Sequence, residues 1–169
     1  TAKVLREATQ AHPDTKWRVV TMHHNPYSAS LSDDDFSEER LFFSSLYDLY
    51  DIDLCLSGHD HFYSRTDTMY AGEVTDGEGT VYVQSSSASG SNYDPLPEST
   101  ASFTVSAFDV RVPTYTAFNF TDGAIVGTTY RTDTDEVIDS FEITDNTTDS
   151  DANIFTVIIL FFKTLFSMI

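Results

Sequence analysis

Two histidines separated by one residue follow an apolar run and a Ser-Gly step in Leu54-Cys55-Leu56-Ser57-Gly58-His59-Asp60-His61. On extended backbone successive side chains alternate faces, so His59 and His61 would share one side and Asp60 would take the other. Gly58 gives the chain freedom to turn and brings backbone close to whatever the imidazoles hold. Two imidazoles on one side of a tight turn are the beginning of a transition-metal site. Taken alone, the pair is more simply read as solvated loop histidines. A second histidine segment upstream, His23-His24-Asn25-Pro26-Tyr27-Ser28, changes that balance.

The elements around the two segments decide whether they meet. Trp17-Arg18-Val19-Val20-Thr21-Met22 is rich in β-branched and aromatic residues and reads as a largely buried strand ending at His23. Ser37 is a plausible N-cap, with Glu38 and Glu39 where the helix dipole favours anions. Phe42, Leu46 and Leu49 with Phe43, Tyr47 and Tyr50 form a broad apolar stripe, so 38–50 reads as an amphipathic helix whose aromatic residues are core packing. Residues 54–57 are the next strand. Strand, loop, helix and strand make a βαβ unit with parallel strands. Ligands of open α/β sheets collect beyond the carboxyl ends of the strands. If the two strands are neighbours, His23, His59 and His61 converge on one sheet edge as candidate metal ligands.

The flanking segments carry less chemistry. Residues 1–10 read as a helix, broken by His12-Pro13-Asp14, where His12 is an exposed loop residue. Asp33, Asp34 and Asp35 lie in a Ser-rich loop whose spacing does not fit an EF-hand, and they read as solvated carboxylates. Gly72, Gly77 and Gly79 punctuate a hairpin-like region before the strand Thr80-Val81-Tyr82-Val83-Gln84. The small-residue stretch 85–91 is either a loop beside the site or a surface loop. Four alternating segments follow, near 102–110, 114–120, 124–131 and 136–143, and suggest an antiparallel sheet beside the α/β unit. Residues 144–153 read as an acidic linker. Residues 154–169 are apolar except for Lys163, two threonines and a serine, and fall short of the roughly 20 residues that span a bilayer. They read as a candidate truncated membrane anchor, as an element packing on a further part, or as a stretch foreign to the domain.

Composition narrows the partners. The 169 residues carry nine Lys plus Arg against 27 Asp plus Glu, a net charge of -18. Such a surface repels nucleic-acid backbones and anionic membranes. An anionic substrate would need cations other than Lys and Arg, and bound metal would supply them. Cys55 is the only cysteine, so an intrachain disulfide is impossible, and within its apolar run it reads as a buried, inert thiol. The chain opens at Thr1 without a methionine or signal core, as a mature product or a fragment would.

Taken together, the two histidine segments resemble the C-terminal half of a calcineurin-like metallophosphoesterase, closest to the purple acid phosphatase-type branch. The strand running into His23-His24-Asn25-Pro26-Tyr27-Ser28 is similar to that family's strand-then-His-Pro-Tyr-Ser segment. Gly58-His59-Asp60-His61 with Phe62-Tyr63-Ser64-Arg65 is similar to its Gly-His-x-His signature followed by an aromatic residue and Arg. The strands at 79–83 and 138–143 agree, so the resemblance covers about residues 1–143. It implies an α/β fold that is half of a four-layer α/β/β/α sandwich, here a βαβ unit followed by an antiparallel sheet. It implies a dinuclear centre of Fe, Mn or Zn and a hydroxide bridging the metals that attacks phosphorus. By the resemblance His23 and His59 ligate one metal and His61 the other, while His24 faces substrate or a position behind the ligands. Asp60 would accept a ligand's second N–H or lie at the surface.

The family's first-half motifs, Asp-x-His or Asp-x-Gly, Gly-Asp-x-x-Asp and Gly-Asn-His-Glu, are absent. The expected parent is therefore a phosphoester hydrolase, extracellular or at the cell surface, and this chain alone is expected to bind metal poorly and not to catalyse. Two other readings stand beside it. One is a noncatalytic β-rich surface or interaction module with remnant histidines. The other is a self-contained mononuclear three-His zinc hydrolase, for which His24 and Asp60 are the only adjacent bases.

Overall fold

A computed structural model describes residues 2–33, 37–88, 90–144 and 160–161. Its elements in chain order are α1 (Ala2–Ala11), β1 (Val19–His24), α2 (Glu38–Leu49), β2 (Leu54–Gly58), β3 (Tyr63–Tyr70), β4 (Glu73–Val74), β5 (Thr80–Gln84), β6 (Thr104–Phe108), β7 (Thr114–Phe120), β8 (Ala124–Arg131), β9 (Val137–Thr144) and the two-residue β10 (Leu160–Phe161). The first sheet is mixed, in the order β10-β1-β2-β5-β3-β4, with β6 also paired to β3. β1 and β2 are parallel neighbours, as are β2 and β5. β7, β8 and β9 form a separate antiparallel sheet.

The inner strands carry apolar side chains on both faces, and their alternation builds two cores. Val20, Cys55 and Tyr82 point toward the helices and pack with Leu5, Tyr47 and Ile52. Val19, Leu54, Val81 and Val83 point the other way and meet Ile125 and Ile143 of the second sheet. The result is a helix layer, a mixed sheet and a second sheet, stacked in that order: three layers of an α/β/β/α sandwich. Ser37 caps α2 by accepting the Arg40 N–H at 3.0 Å.

The structure corrects several expectations. Residues 104–108 do not join the antiparallel sheet; β6 pairs with β3, because the hairpin β3–β4–β5 leaves a free edge on β3. Of the broad stripe on α2, Phe43, Leu46, Tyr47 and Tyr50 face the core, while Phe42 and Leu49 are exposed. The buried stripe is narrower than the apolar pattern implies, since positions 42 and 49 are rotated one residue, about 100°, from the buried row. Asp33 is not simply solvated: its carboxylate accepts from the Ser102 N–H and hydroxyl at 2.8 and 2.7 Å. Asp34 and Asp35 lie outside the described residues, as do the linker and apolar tail apart from Thr144 and the pair Leu160–Phe161, which lies parallel to β1. No helix among the described residues is long and apolar enough to cross a membrane.

One polar cluster ties the two sheets together. Asp139 on β9 receives Arg65 of β3 in a two-pronged contact, Nε at 2.7 Å and Nη2 at 3.2 Å, and the Tyr63 hydroxyl at 2.7 Å. The guanidinium also lies 4.7 Å from the centre of the Phe141 ring. Both charged side chains are largely buried, at 16% and 10% exposure, so water screens the pair poorly. Burial alone would raise the Asp139 carboxyl. The hydrogen bonds from Arg65 and Tyr63 and the Arg65 charge outweigh it and hold the group below its ordinary value. A carboxylate depressed in the folded state stabilises above its unfolded pKa, and that contribution is lost as pH falls through the folded one. Asp139→Ala, which strands the Arg65 charge, is expected to cost about 3 kcal/mol in urea unfolding at neutral pH. The difference from the parent chain should shrink as acid protonates Asp139, and a constant difference across pH would contradict the assignment.

Candidate metal centre

β1 carries two histidines at its end because the strand does not stop before them: His23 and His24 are its last two residues. In regular strand they would point to opposite faces. The β1–β2 register runs Thr21 to Leu56 and then His24 to Gly58, so β1 has one extra residue across that interval. This bulge re-aims the side chains beyond it. The second constraint is on β2. Gly58 is not the strained residue; His59 is, with φ of 85°, a left-handed conformation that non-glycine residues seldom adopt. The chain folds back after His59 through a turn in which the Phe62 N–H reaches the Asp60 carbonyl.

Bulge and turn together bring three imidazoles into one group. One nitrogen each of His23, His24 and His59 lies within 4.8 Å of the others. Ring centres are 4.0 Å apart for His24 and His59, 4.9 Å for His23 and His24, and 5.2 Å for His23 and His59. His59 Nδ1 and His23 Nε2 face each other at 3.4 Å. One ring can donate an N–H to the other across that gap, and a cation bound by both nitrogens would take the place of that hydrogen bond. Three imidazole nitrogens suit a transition-metal ion such as Zn or Fe. Among the described residues this is the one His, Cys, Asp and Glu group compact enough for an ion. His59 is half exposed, leaving room for further ligands.

His61 goes elsewhere. The expectation that it points the same way as His59 assumed extended backbone, and the left-handed turn removes that premise. Its Nδ1 meets Asn92 Nδ2 at 2.9 Å and lies 3.9 Å from Asp94. The segment after the small-residue stretch therefore lies beside the histidines, which favours the site-loop reading of that region. The same turn redirects Asp60. Its carboxylate accepts the hydroxyls of Ser28 and of Ser30, the latter at 2.9 Å, and its other oxygen is 3.9 Å from His59 Nε2. Asp60 thus fastens the His59 turn to the loop that follows His23 and His24. Spacing carries no signal for these contacts, because Ser28, Asn92 and Asp94 lie about thirty residues away in sequence. His12 is exposed and remote from the group in sequence, as expected.

A cleft of about 750 Å³ lies at the opposite end of the first sheet, lined by Asp14, Arg18, Asp48, Asp53 and Glu78 among others. It is not where the imidazoles are. Burial there pushes the Asp53 carboxyl up to about 7 against the pull of the Arg18 N–H and charge. The convergent nitrogens, not this cleft, mark the candidate site.

No family model matches the sequence, and no curated protein matches it. Solved structures do match the fold. One is the purple acid phosphatase PPD1 from yellow lupin (Lupinus luteus) seeds, with a TM-score of 0.65 and 19% identity over 86% of this chain and 28% of that one. Another is GAP50, the anchor in the inner membrane complex of Plasmodium, with a TM-score of 0.64 and 14% identity over 85% of this chain and 42% of that one. The chain therefore shares its fold with part of a purple acid phosphatase and spans less than half the length of either structure.

Replacing Asp60 by Ala frees the His59 turn from Ser28 and Ser30. Zinc affinity, read by competition with a chromophoric chelator, is expected to fall roughly 10- to 100-fold, with Asp60→Asn intermediate. Unchanged affinity would show that the latch does not orient the ligands.

Proposed function

We propose that this chain is the histidine-bearing portion of a metal-dependent phosphoester hydrolase and is inactive by itself. The observation that carries the reading is the convergence of His23, His24 and His59 at the carboxyl ends of two parallel strands, within a fold shared with a purple acid phosphatase. His23 and His59 are the proposed ligands of one metal, with His24 as a third donor or a substrate-side group. His61, turned toward Asn92 and Asp94, is the proposed ligand of a second. A metal held there would polarise a phosphoryl oxygen and acidify water, chemistry that imidazoles alone do not supply.

The chain's own residues do the positioning. The bulge in β1 sets the two adjacent rings, and the strained turn at His59 aims the third. Asp60, held by Ser28 and Ser30, keeps that turn against the neighbouring loop. The ligating imidazoles must be neutral, so binding weakens as acid protonates them. Carboxylates needed to bridge two metals are missing from the group and are proposed to come from a further part of the protein. The proposed metals are Fe, Mn or Zn, of which Fe and Zn suit the imidazoles and Mn would lean on the carboxylates of the further part. With a chain charge of -18, an anionic phosphoester gains attraction only from the metals, and nucleic acid is not the proposed ligand. The proposed location is extracellular or at the cell surface, with residues 154–169 a candidate anchor.

A second reading has its own support. GAP50 shares the fold at 14% identity and is described as an anchor, so a noncatalytic surface or interaction module with remnant histidines is the competing proposal.

Elemental analysis separates the two. A longer natural form containing the upstream carboxylate motifs should hold two metals per chain and hydrolyse a chromogenic phosphomonoester or diester. The 169-residue chain should hold little metal and be inert. His59→Ala in the long form should abolish most activity together with metal content. A long form that is folded, metal-free and inactive would overturn the hydrolase and favour the interaction module.

A further inference from the structure

We propose that Asn119 is an N-glycosylation site. Asn119-Phe120-Thr121 is an Asn-x-Thr tripeptide without a central proline, the acceptor pattern of exported proteins. Such tripeptides also arise by chance, so placement in the fold has to decide. Asn119 is the next-to-last residue of β7. Strand alternation turns Phe118 and Phe120 inward, where both pack against the core between the sheets, and leaves Asn119 exposed on the outer face. Its carboxamide is taken up by no hydrogen bond among the described residues. In this chain a bulky, soluble group attached there meets water and displaces none of the described residues.

The neighbouring turn fixes where that group would project. Thr121 and Ala124 close the β7–β8 turn through three hydrogen bonds of 2.9 to 3.0 Å. The Trp17 indole donates to the Thr121 carbonyl at 2.8 Å. Trp17 precedes the start of β1, whereas the imidazoles stand at its end. Asn119 is therefore near the pole of the sheet opposite the histidines, and a glycan there leaves the candidate metal centre open. The Thr121 hydroxyl is engaged with Ala124 in the folded chain. Transfer then precedes closure of the turn, on the emerging chain.

The reaction needs a lipid-diphosphate-linked oligosaccharide and a host transferase. Asn119 Nδ2 forms a bond to the anomeric carbon of the first sugar. The bond from that carbon to the diphosphate oxygen breaks, and one amide proton departs to the lipid diphosphate.

The inference rests on the export proposed above, so the test supplies export independently. The full 169-residue chain is secreted from a eukaryotic host behind an added cleavable leader, then treated with peptide-N-glycosidase and mapped by peptide mass spectrometry. A second tripeptide, Asn146-Thr147-Thr148, lies outside the described residues, so Asn146→Gln and the double variant serve as references. Carbohydrate on the Asn119 peptide is expected, with conversion of that residue to Asp on release. Asn119→Gln and Thr121→Ala should each lose one glycan, and Thr121→Ser should keep it. A secreted chain unmodified at Asn119, including one modified at Asn146 alone, overturns the proposal. The leader makes either result independent of where the native protein resides.

Discussion

Parallel pairing of β1 with β2 is the constraint on which the rest of the molecule depends. Parallel neighbours must be joined by a crossover, here the loop and α2, and their carboxyl ends then lie side by side. That alone brings together histidines far apart in sequence. It does not aim them. Aim comes from two local departures from regular geometry, an extra residue in β1 before His24 and a left-handed residue at His59. Both are unfavourable in isolation and persist because their surroundings over-determine them. The strand bodies are buried on both faces, and Asp60 ties the turn to Ser28 and Ser30.

The chemistry follows from what this arrangement has and lacks. It has three nitrogen donors open to solvent on one side and a fourth imidazole turned toward Asn92 and Asp94. It lacks carboxylates within the group, although the chain as a whole carries a large excess of them. The acids are used elsewhere: Asp139 holds the sheets together, Asp53 receives the Arg18 N–H at the start of the strands, and Asp33 fastens a loop. A centre built from imidazoles alone can seat one cation. The fold is shared with a phosphatase over only part of that protein's length, and the function proposed above takes the remaining ligands from outside this chain.

Much of this was legible in the sequence, for a physical reason. The βαβ unit announces itself through composition: β-branched runs, a capped amphipathic helix and small-residue turns are local signals. Thr80–Gln84 was readable from its β-branched and aromatic residues, and the antiparallel β7–β8–β9 from alternation. What failed were inferences that assumed ideal geometry. His59 and His61 were expected to point together because strand residues two apart do so, and a single left-handed residue voids the rule. Residues 104–108 alternate like their successors, yet pairing with β3 is a question of which edge is free, and alternation does not encode that. The buried network of Tyr63, Arg65 and Asp139 was equally invisible, since charge and spacing do not say which acid meets which base across two sheets.

The central claim is that His23, His24 and His59 act as one group. Titration of the uniformly nitrogen-15-labelled chain with Zn(II), followed through the imidazole nitrogens of its five histidines, addresses it most directly. The account predicts that resonances of His23, His24 and His59 move together with a single midpoint while His12 stays still. If the three respond separately, or no more than His12 does, the imidazoles are neighbours by accident and the metal-centre account is wrong.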